Sequence, residues 1–365
     1  MNDSTEEIVQ LSHKEFLKID KNYEEAATAA DLVYVSDADP GISRMKKGKG
    51  FTYIYDDKPL KGKEQMERIR KLAIPPAWTN VWICSLPNGH IQATGFDIRK
   101  RKQYRYHSIW QSLRNQTKFH KMLEFGKALP RLRLQVEQDM AQKELSQNKV
   151  LATVISLMER TYMRIGNEGY EKVYGSYGIT TLKDKHVTVN GSEVVFSFKG
   201  KKGIYHNISL KSKRLAKTIK ACRDIPGKEL FQYFDAEGNR KSIDSGMVNA
   251  YIKEATGMDF SAKDFRTWAG SLNFLMAFKS MGEAITETEL KKNILQALDT
   301  VSMQLGNTRS VCKKYYVHPG LITLYEENGL QKYCNELDKI EKPDDVSGLT
   351  GEEIILMKVL KEITH

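Results

Sequence analysis

The apolar pattern of this chain changes period near Trp110, and that change restricts the fold more than any other feature of the sequence. Upstream, short runs rich in β-branched and aromatic residues are separated by turn signals. Residues 51–55 end in a polar turn at Asp56-Asp57-Lys58, and residues 81–86 and 90–94 flank Pro87-Asn88-Gly89, a hairpin signal. Residues 103–107 keep the strand-like character. One helix is expected at 65–72, stopped by Pro75-Pro76, because a proline drives the residue before it out of the helical region.

Downstream, apolar residues recur at helical spacing. Residues 137–164 read as one helix with Gly166 at its C-cap. A small sheet follows: residues 187–189 and 194–198 are joined by Asn190-Gly191, and a third strand at 204–210 follows the loop Lys199-Gly200-Lys201-Lys202-Gly203. Helices resume at Ser261, which with Asp264 resembles a capping box and opens a helix burying Phe265, Trp268, Leu272 and Leu275. Thr286 with Glu289 opens another that reaches Gly306. Thr308 then caps a short helix that holds Tyr315 and Tyr316 and ends before Pro319. Thr350 and Glu353 cap a last helix at 352–363, with packing as its role.

The expected class is α+β. A chain of 365 residues exceeds what one typical core needs, so a β-rich N-terminal domain at 1–112 and a larger, mainly α-helical domain at 113–365 with a small β-sheet insertion are expected. No apolar run approaches the ~18 residues of a membrane span. The start of the chain carries Asp3, Glu6, Glu7 and Glu15, so no signal peptide is expected. The four cysteines, Cys84, Cys222, Cys312 and Cys334, are too scattered for a zinc site and read as reduced thiols of a cytosolic protein.

Charge is unevenly placed. Between Asp97 and Arg133 eleven lysines and arginines face two acids, whereas from Glu336 onward eight acids face four lysines. A basic stripe on a domain-sized protein points either to a polyanion partner or to a solvated surface.

No Gly-rich phosphate loop, dinucleotide fingerprint, His-Glu-x-x-His or Gly-x-Ser-x-Gly occurs, and acidic metal-ligand clusters are absent from the plausible catalytic positions. An enzyme built from this chain would therefore work with cations and no metal or nucleotide. Arg164 sits at a helix end, Lys201 at the tip of a hairpin, and Arg266 at the edge of a buried stripe. Arginine grips phosphate oxygens in two-pronged geometry, and a lysine can protonate a leaving alkoxide. Tyr316 follows Lys313-Lys314-Tyr315, and neighbouring positive charge would help a phenol to attack a phosphodiester. Each of these residues taken singly also reads as an ordinary surface cation or a half-buried aromatic.

Taken together and in order, the segments resemble the type IB DNA topoisomerases, in the compact form of poxviruses and bacteria. In the N-terminal part the resemblance rests on Tyr34-Val35-Ser36-Asp37 with Pro40-Gly41-Ile42, and on Arg101-Lys102-Gln103-Tyr104-Arg105-Tyr106. In the C-terminal part it rests on Arg164-Ile165-Gly166-Asn167-Glu168, Tyr177-Gly178-Ile179-Thr180-Thr181-Leu182 and Phe198-Lys199-Gly200-Lys201. It extends through Lys263-Asp264-Phe265-Arg266-Thr267-Trp268 and Leu305-Gly306-Asn307-Thr308 to Tyr316-Val317-His318-Pro319.

The resemblance implies a nucleophilic Tyr316 that becomes 3′-phosphotyrosyl, Arg164 and Arg266 as a clamp on the non-bridging oxygens, and Lys201 as general acid. It implies relaxation of supercoils by strand rotation and religation, with no ATP, metal or other cofactor. It also implies DNA contacts from Gln103, Tyr104, Tyr106 and Tyr170, with Arg101, Lys102 and Lys263 beside them, and two domains closing on duplex DNA. Of the two tyrosines, the spacing to His318-Pro319 selects Tyr316. Where poxvirus enzymes carry a histidine nine residues before the tyrosine, this chain has Asn307, which can donate to a phosphate oxygen but cannot titrate. That residue resembles the bacterial branch, so a cytoplasmic, nucleoid-associated bacterial monomer is expected. A tyrosine recombinase or a non-enzymatic DNA-binding protein is the alternative. The Lys263-x-x-Arg266 spacing, where recombinases have His-x-x-Arg, and the β-rich first domain stand against the former.

Overall fold

The computed structural model describes residues 9, 11–281, 284, 286–338, 340 and 348–364, without the side chains of Tyr170 and Ser280. The acids at 3, 6 and 7 and those at 341, 344 and 345 lie outside the described residues. The chain forms two compact units, Met1–Lys121 and Met122–His365. Residue 112, where the sequence suggests a division, lies inside a helix that runs unbroken from Ser108 to Ala141.

The first unit is built on a six-stranded antiparallel sheet. Strands β1 (Gly41–Lys47), β2 (Gly50–Tyr55), β3 (Lys58–Pro59), β4 (Thr79–Cys84), β5 (Ile91–Phe96) and β6 (Lys102–Tyr106) take the order β3-β2-β1-β4-β5-β6. Helices α1 (His13–Ile19), α2 (Tyr23–Thr28) and α3 (Lys63–Lys71) flank it in sequence, and α4 (Ser108–Ala141) follows. Ile69 of α3 packs with Ile42, Val81, Ile83 and Ala93 of the sheet. A second cluster joins Phe16, Ile19, Ala26, Ala27, Ala30 and Leu32 to Trp110 and Leu113 of α4. β6 is an edge strand paired on one side only, with β5, and four of its five residues are exposed.

The second unit is mainly helical. After the end of α4 its helices are α5 (Gln147–Thr161), α6 (Glu168–Tyr174), α7 (Lys213–Arg223), α8 (Ser245–Thr256), α9 (Ala262–Ala277), α10 (Glu287–Leu305), α11 (Arg309–Tyr315), α12 (Pro319–Glu326), α13 (Gln331–Leu337) and α14 (Gly351–Thr364), with a two-stranded sheet of Gln232–Phe234 and Arg240–Ser242 between α7 and α8. A three-stranded sheet of β7 (Val187–Asn190), β8 (Glu193–Lys199) and β9 (Tyr205–Lys211) is inserted after α6. Local signals set most of these boundaries. Gly191 (φ 60°) and Ser192 make the β7–β8 turn, one residue beyond the expected Asn190-Gly191, because Asn190 still pairs with Glu193 as the last residue of β7. The capping boxes at Ser261/Asp264 and Thr286/Glu289 open α9 and α10.

Two expectations need correction. The helix read at 137–164 is broken: α4 stops at Ala141, and Ser146 caps a new helix by accepting from the Lys149 N–H at 3.2 Å. Its end is not at Gly166. Tyr162 takes the left-handed conformation (φ 55°) and its N–H closes the helix on the Met158 carbonyl at 3.0 Å. Likewise Tyr316 is not inside a helix. α11 ends at Tyr315, and Tyr316 follows as its cap at φ −130°, ψ −21°.

Candidate active site

The segments that carry Arg164, Arg266 and Tyr316 are held by contacts from parts of the chain distant in sequence. Arg164 lies on the extended stretch after α5. The Ile179 N–H donates to its carbonyl at 2.9 Å, and the Thr180 N–H donates to the Ile165 carbonyl at 2.7 Å. This pairing brings the two motif glycines together. A Cβ on Gly178 would stand 2.5 Å from both the Arg164 carbonyl oxygen and the Gly166 nitrogen, so only glycine fits there.

Lys201 is exposed in the short turn between β8 and β9. The Gly200 N–H donates to Ile204 O at 2.7 Å, and Lys202 and Gly203 adopt positive φ to complete the turn. The base of the hairpin is tied to the Arg164 region, because the Tyr177 N–H donates to Lys199 O at 2.8 Å.

Arg266 sits in α9 as the sequence suggests, yet it is buried, with 7% of its surface exposed, rather than at the edge of the buried stripe. The correction has a clear cause. One terminal nitrogen donates to the carbonyl of Tyr162, left open by the end of α5, and the other to Leu305 O at the end of α10, at 2.7 Å. The guanidinium thus joins two helix C-termini, where a cation is favoured. It also stands 5.2 Å from the centre of the Tyr316 ring.

Tyr316 is positioned by α9. A Cβ on Gly270 would lie 2.5 Å from the Tyr316 carbonyl oxygen and 2.8 Å from its Cβ, so the helix presents bare backbone at the point of contact. Next to it, the Ser271 hydroxyl donates to Tyr316 O at 3.2 Å and accepts from the His318 N–H at 2.9 Å. Neither residue was singled out in the sequence. A glycine in a helix interior, where it costs about 1 kcal/mol relative to alanine, was the available signal.

Arg164, Lys201, Arg266 and Tyr316 all line one cleft of about 660 Å³ within this unit, together with Gly166, Tyr177 and Lys263. Asn307 lies beside it. Its Oδ1 accepts a hydrogen bond from Arg164 Nη2, which also donates to Gly306 O at 3.2 Å. Burial and the neighbouring positive charge of Arg266 outweigh the raising effect of Tyr316 and Cys312 and bring the Arg164 pKa down to about 10, which leaves it cationic at neutral pH. Burial also pushes the Cys312 thiol up to about 11. Among the described residues, neither Arg266 Nε nor Asn307 Nδ2, both buried, has a hydrogen-bond partner.

The charge beside Tyr316 comes from Arg266 and Arg164, distant in sequence. Lys313 and Lys314 are exposed, and Lys314 lies 6.0 Å from the ring of Tyr315. Tyr315 is 37% exposed and is not among the residues lining the cleft.

The first unit carries the other candidates on β6. Tyr104 and Tyr106 are exposed and their rings stack at 5.7 Å, with Lys102 Nζ 5.7 Å from the centre of the Tyr104 ring. Arg101 and Gln103 both donate to Asp97 Oδ2, at 2.6 and 3.1 Å, and Lys102 pairs with Asp37 at 2.6 Å. Tyr170 belongs to α6, but its side chain is not described.

The basic stripe is less uniform than its charge count suggests. Arg101, Lys102, Arg114, Lys121, Lys127 and Arg133 all form ion pairs with carboxylates. Arg133 is held between Glu159 and Glu353 at 2.5 and 2.8 Å. Glu353 also accepts from the Trp268 indole at 3.0 Å, so this part of the acidic tail is a buried anchor for α14.

Among the described residues there is no group of three or more histidine, cysteine, aspartate or glutamate side chains that could hold a metal ion. No described helix is long and apolar enough to cross a membrane.

Comparison with known proteins identifies the family. Residues 107–342 match the family model described as eukaryotic DNA topoisomerase I, catalytic core, and residues 50–97 match bacterial DNA topoisomerase IB, N-terminal domain. The chain is 36% identical over 296 residues to the DNA topoisomerase 1B of Acanthamoeba polyphaga mimivirus, covering 79% of this chain and 88% of that one. It is 25% identical over 250 residues to the DNA topoisomerase 1B of Vaccinia virus (strain Copenhagen), covering 68% and 74%. It is 27% identical over 227 residues to the DNA topoisomerase 1 of Schizosaccharomyces pombe (strain 972 / ATCC 24843), covering 60% and 27%.

Proposed function

Because this chain belongs to the type IB DNA topoisomerases, isomerases that act on DNA, we propose that Tyr316 is the residue that cuts and reseals the strand. The observation that carries the proposal is the single cleft lined by Arg164, Lys201, Arg266 and Tyr316, brought together from four separate segments.

Tyr316, its phenolic proton released to solvent, attacks the scissile phosphorus through its oxygen, a phosphotyrosyl ester forms, and the bond to the 5′-oxygen breaks. Lys201, on an exposed turn at the mouth of the cleft, donates a proton to that departing oxygen. Arg164 and Arg266 stabilise charge on the non-bridging oxygens, where preorganised donors are worth most. The unpartnered N–H groups of Arg266 and Asn307 support this role. A buried donor left unpaired costs about 1–3 kcal/mol, and a phosphate oxygen would recover it. The bond energy is kept in the ester, so religation is the reverse attack by the 5′-hydroxyl. The free end turns between the two steps and supercoils are released without ATP or metal.

DNA contacts are assigned to Gln103, Tyr104, Tyr106, Arg101 and Lys102 of the N-terminal domain, and to Tyr170 and Lys263 of the catalytic domain. The exposure of β6 and its stacked tyrosines supports the first group. Asn307 and the match over residues 50–97 support a bacterial-type enzyme, read here as a cytoplasmic, nucleoid-associated monomer. The polarity of the covalent adduct tests the chemistry. Denaturant-trapped protein is expected on the 3′ end of the nicked strand, and attachment to the 5′ end overturns the assignment.

A further inference from the structure

A histidine outside every motif stands beside the cleft. His206 lies on β9 opposite Phe198 of β8, and the two rings stack with centroids 5.1 Å apart. Its imidazole fills space that two glycines leave open. A Cβ on Gly200 would stand 2.6 Å from both Cδ2 and Nε2 of the ring, and a Cβ on Gly306 would stand 2.8 Å from Cε1. Gly200 immediately precedes Lys201. Gly306 immediately precedes Asn307, and its carbonyl accepts from Arg164.

We propose that His206 is a positioning residue for strand cleavage, wedged between Gly200 and Gly306 so that the Lys201 turn is held at a fixed distance from Asn307 and Arg164. The inference rests on the assignment of Lys201 as proton donor. Lys201 belongs to an exposed turn, whereas Arg164, on the extended stretch after α5, and Asn307, just past the end of α10, are joined to each other by a hydrogen bond. The ring touches both sides, so it couples the placement of the proton to that of the oxygen-binding groups. Burial and the charges of Arg164 and Arg266 lower the pKa of His206. At neutral pH the ring is therefore an uncharged spacer that does not repel the arginines. Reactions of this kind tolerate little misplacement: an error of about 1 Å can cost ~10²-fold in rate.

The test is single-turnover cleavage by the full chain at a mapped site, with either oxygen or sulfur as the 5′ bridging atom. A thiolate leaves without a proton, so the sulfur substrate bypasses the proton donor. Lys201→Ala and His206→Ala are both expected to cleave the oxygen substrate slowly, the latter by roughly 10²-fold, and both are expected to recover on sulfur. If sulfur rescues Lys201→Ala but leaves His206→Ala slow, the positioning role is overturned while the role of Lys201 stands. If His206→Ala cleaves the oxygen substrate at the normal rate, the proposal also fails. If Lys201→Ala is not rescued, the proton-donor assignment falls and this inference with it. Should His206→Ala not fold, His206→Gln, which keeps most of the volume, is read by the same criteria.

Discussion

Gly270 and Tyr316 are in backbone contact: the carbonyl oxygen of Tyr316 lies 2.5 Å from where a side-chain carbon at 270 would be. The nucleophile's main chain is thus seated directly on the helix that carries Arg266. Gly270→Ala separates seating from folding. Helix propensity alone favours alanine by about 1 kcal/mol, so a passive glycine would give an active and slightly more stable enzyme. Displacement of Tyr316 is expected instead, with the single-turnover cleavage rate falling about 10²-fold while DNA affinity changes little.

Asn307 offers a second test. It accepts from Arg164 through Oδ1 and holds a buried Nδ2 without a partner among the described residues. Asn307→Ala is expected to slow cleavage by about 10²–10³-fold, with little change in DNA affinity. An undiminished rate would remove Asn307 from the group that stabilises charge.

The anchor of α14 makes a prediction about stability. Glu353 is buried, pairs with Arg133 and accepts from Trp268. Removing one partner of a buried pair leaves the other uncompensated, so Glu353→Ala is expected to cost about 3 kcal/mol. For a unit of this size that is a fall of roughly 6–12 °C in Tm.

The same residue has a pH signature. Burial alone would raise the Glu353 pKa, but its hydrogen bonds and charge interaction with Arg133 outweigh burial and leave it lowered. A depressed folded-state pKa stabilises above the unfolded value of about 4.3, and the contribution is lost as pH falls through the lower, folded value. Glu353→Gln is therefore expected to flatten the loss of stability below about pH 4.3, measured as Tm against pH. An unchanged slope would contradict the role of the pair.

Where the sequence was informative, the interaction was local or the motif short. The capping boxes at Ser261/Asp264 and Thr286/Glu289 are complete within four residues and both stand in the structure, and the β7–β8 turn falls one residue beyond the Asn190-Gly191 signal, at Gly191 and Ser192. Arg164, Lys201, Arg266 and Tyr316 were recognisable as motif residues, and the fold gathers them in one cleft. What stayed hidden depends on contacts between distant segments. Arg266 is buried because the ends of α5 and α10 offer it carbonyls, and neither end is visible from residue 266. By contrast, the break between Ala141 and Gln147 carries a local signal, a polar run at 142–149 interrupted only by Leu145, with Ser146 placed to cap the next helix. The count of eleven cations between 97 and 133 overstated the free charge, since Asp20, Asp37, Glu159 and Glu353 are supplied from elsewhere in the chain.

The most direct measurement is relaxation of supercoiled plasmid in EDTA, without ATP, by the unaltered chain and by Tyr316→Phe and Tyr315→Phe. The unaltered protein and Tyr315→Phe are expected to relax both positive and negative supercoils, and folded Tyr316→Phe to relax neither. Relaxation by Tyr316→Phe, or its loss in Tyr315→Phe alone, would contradict the assignment of Tyr316 as the nucleophile.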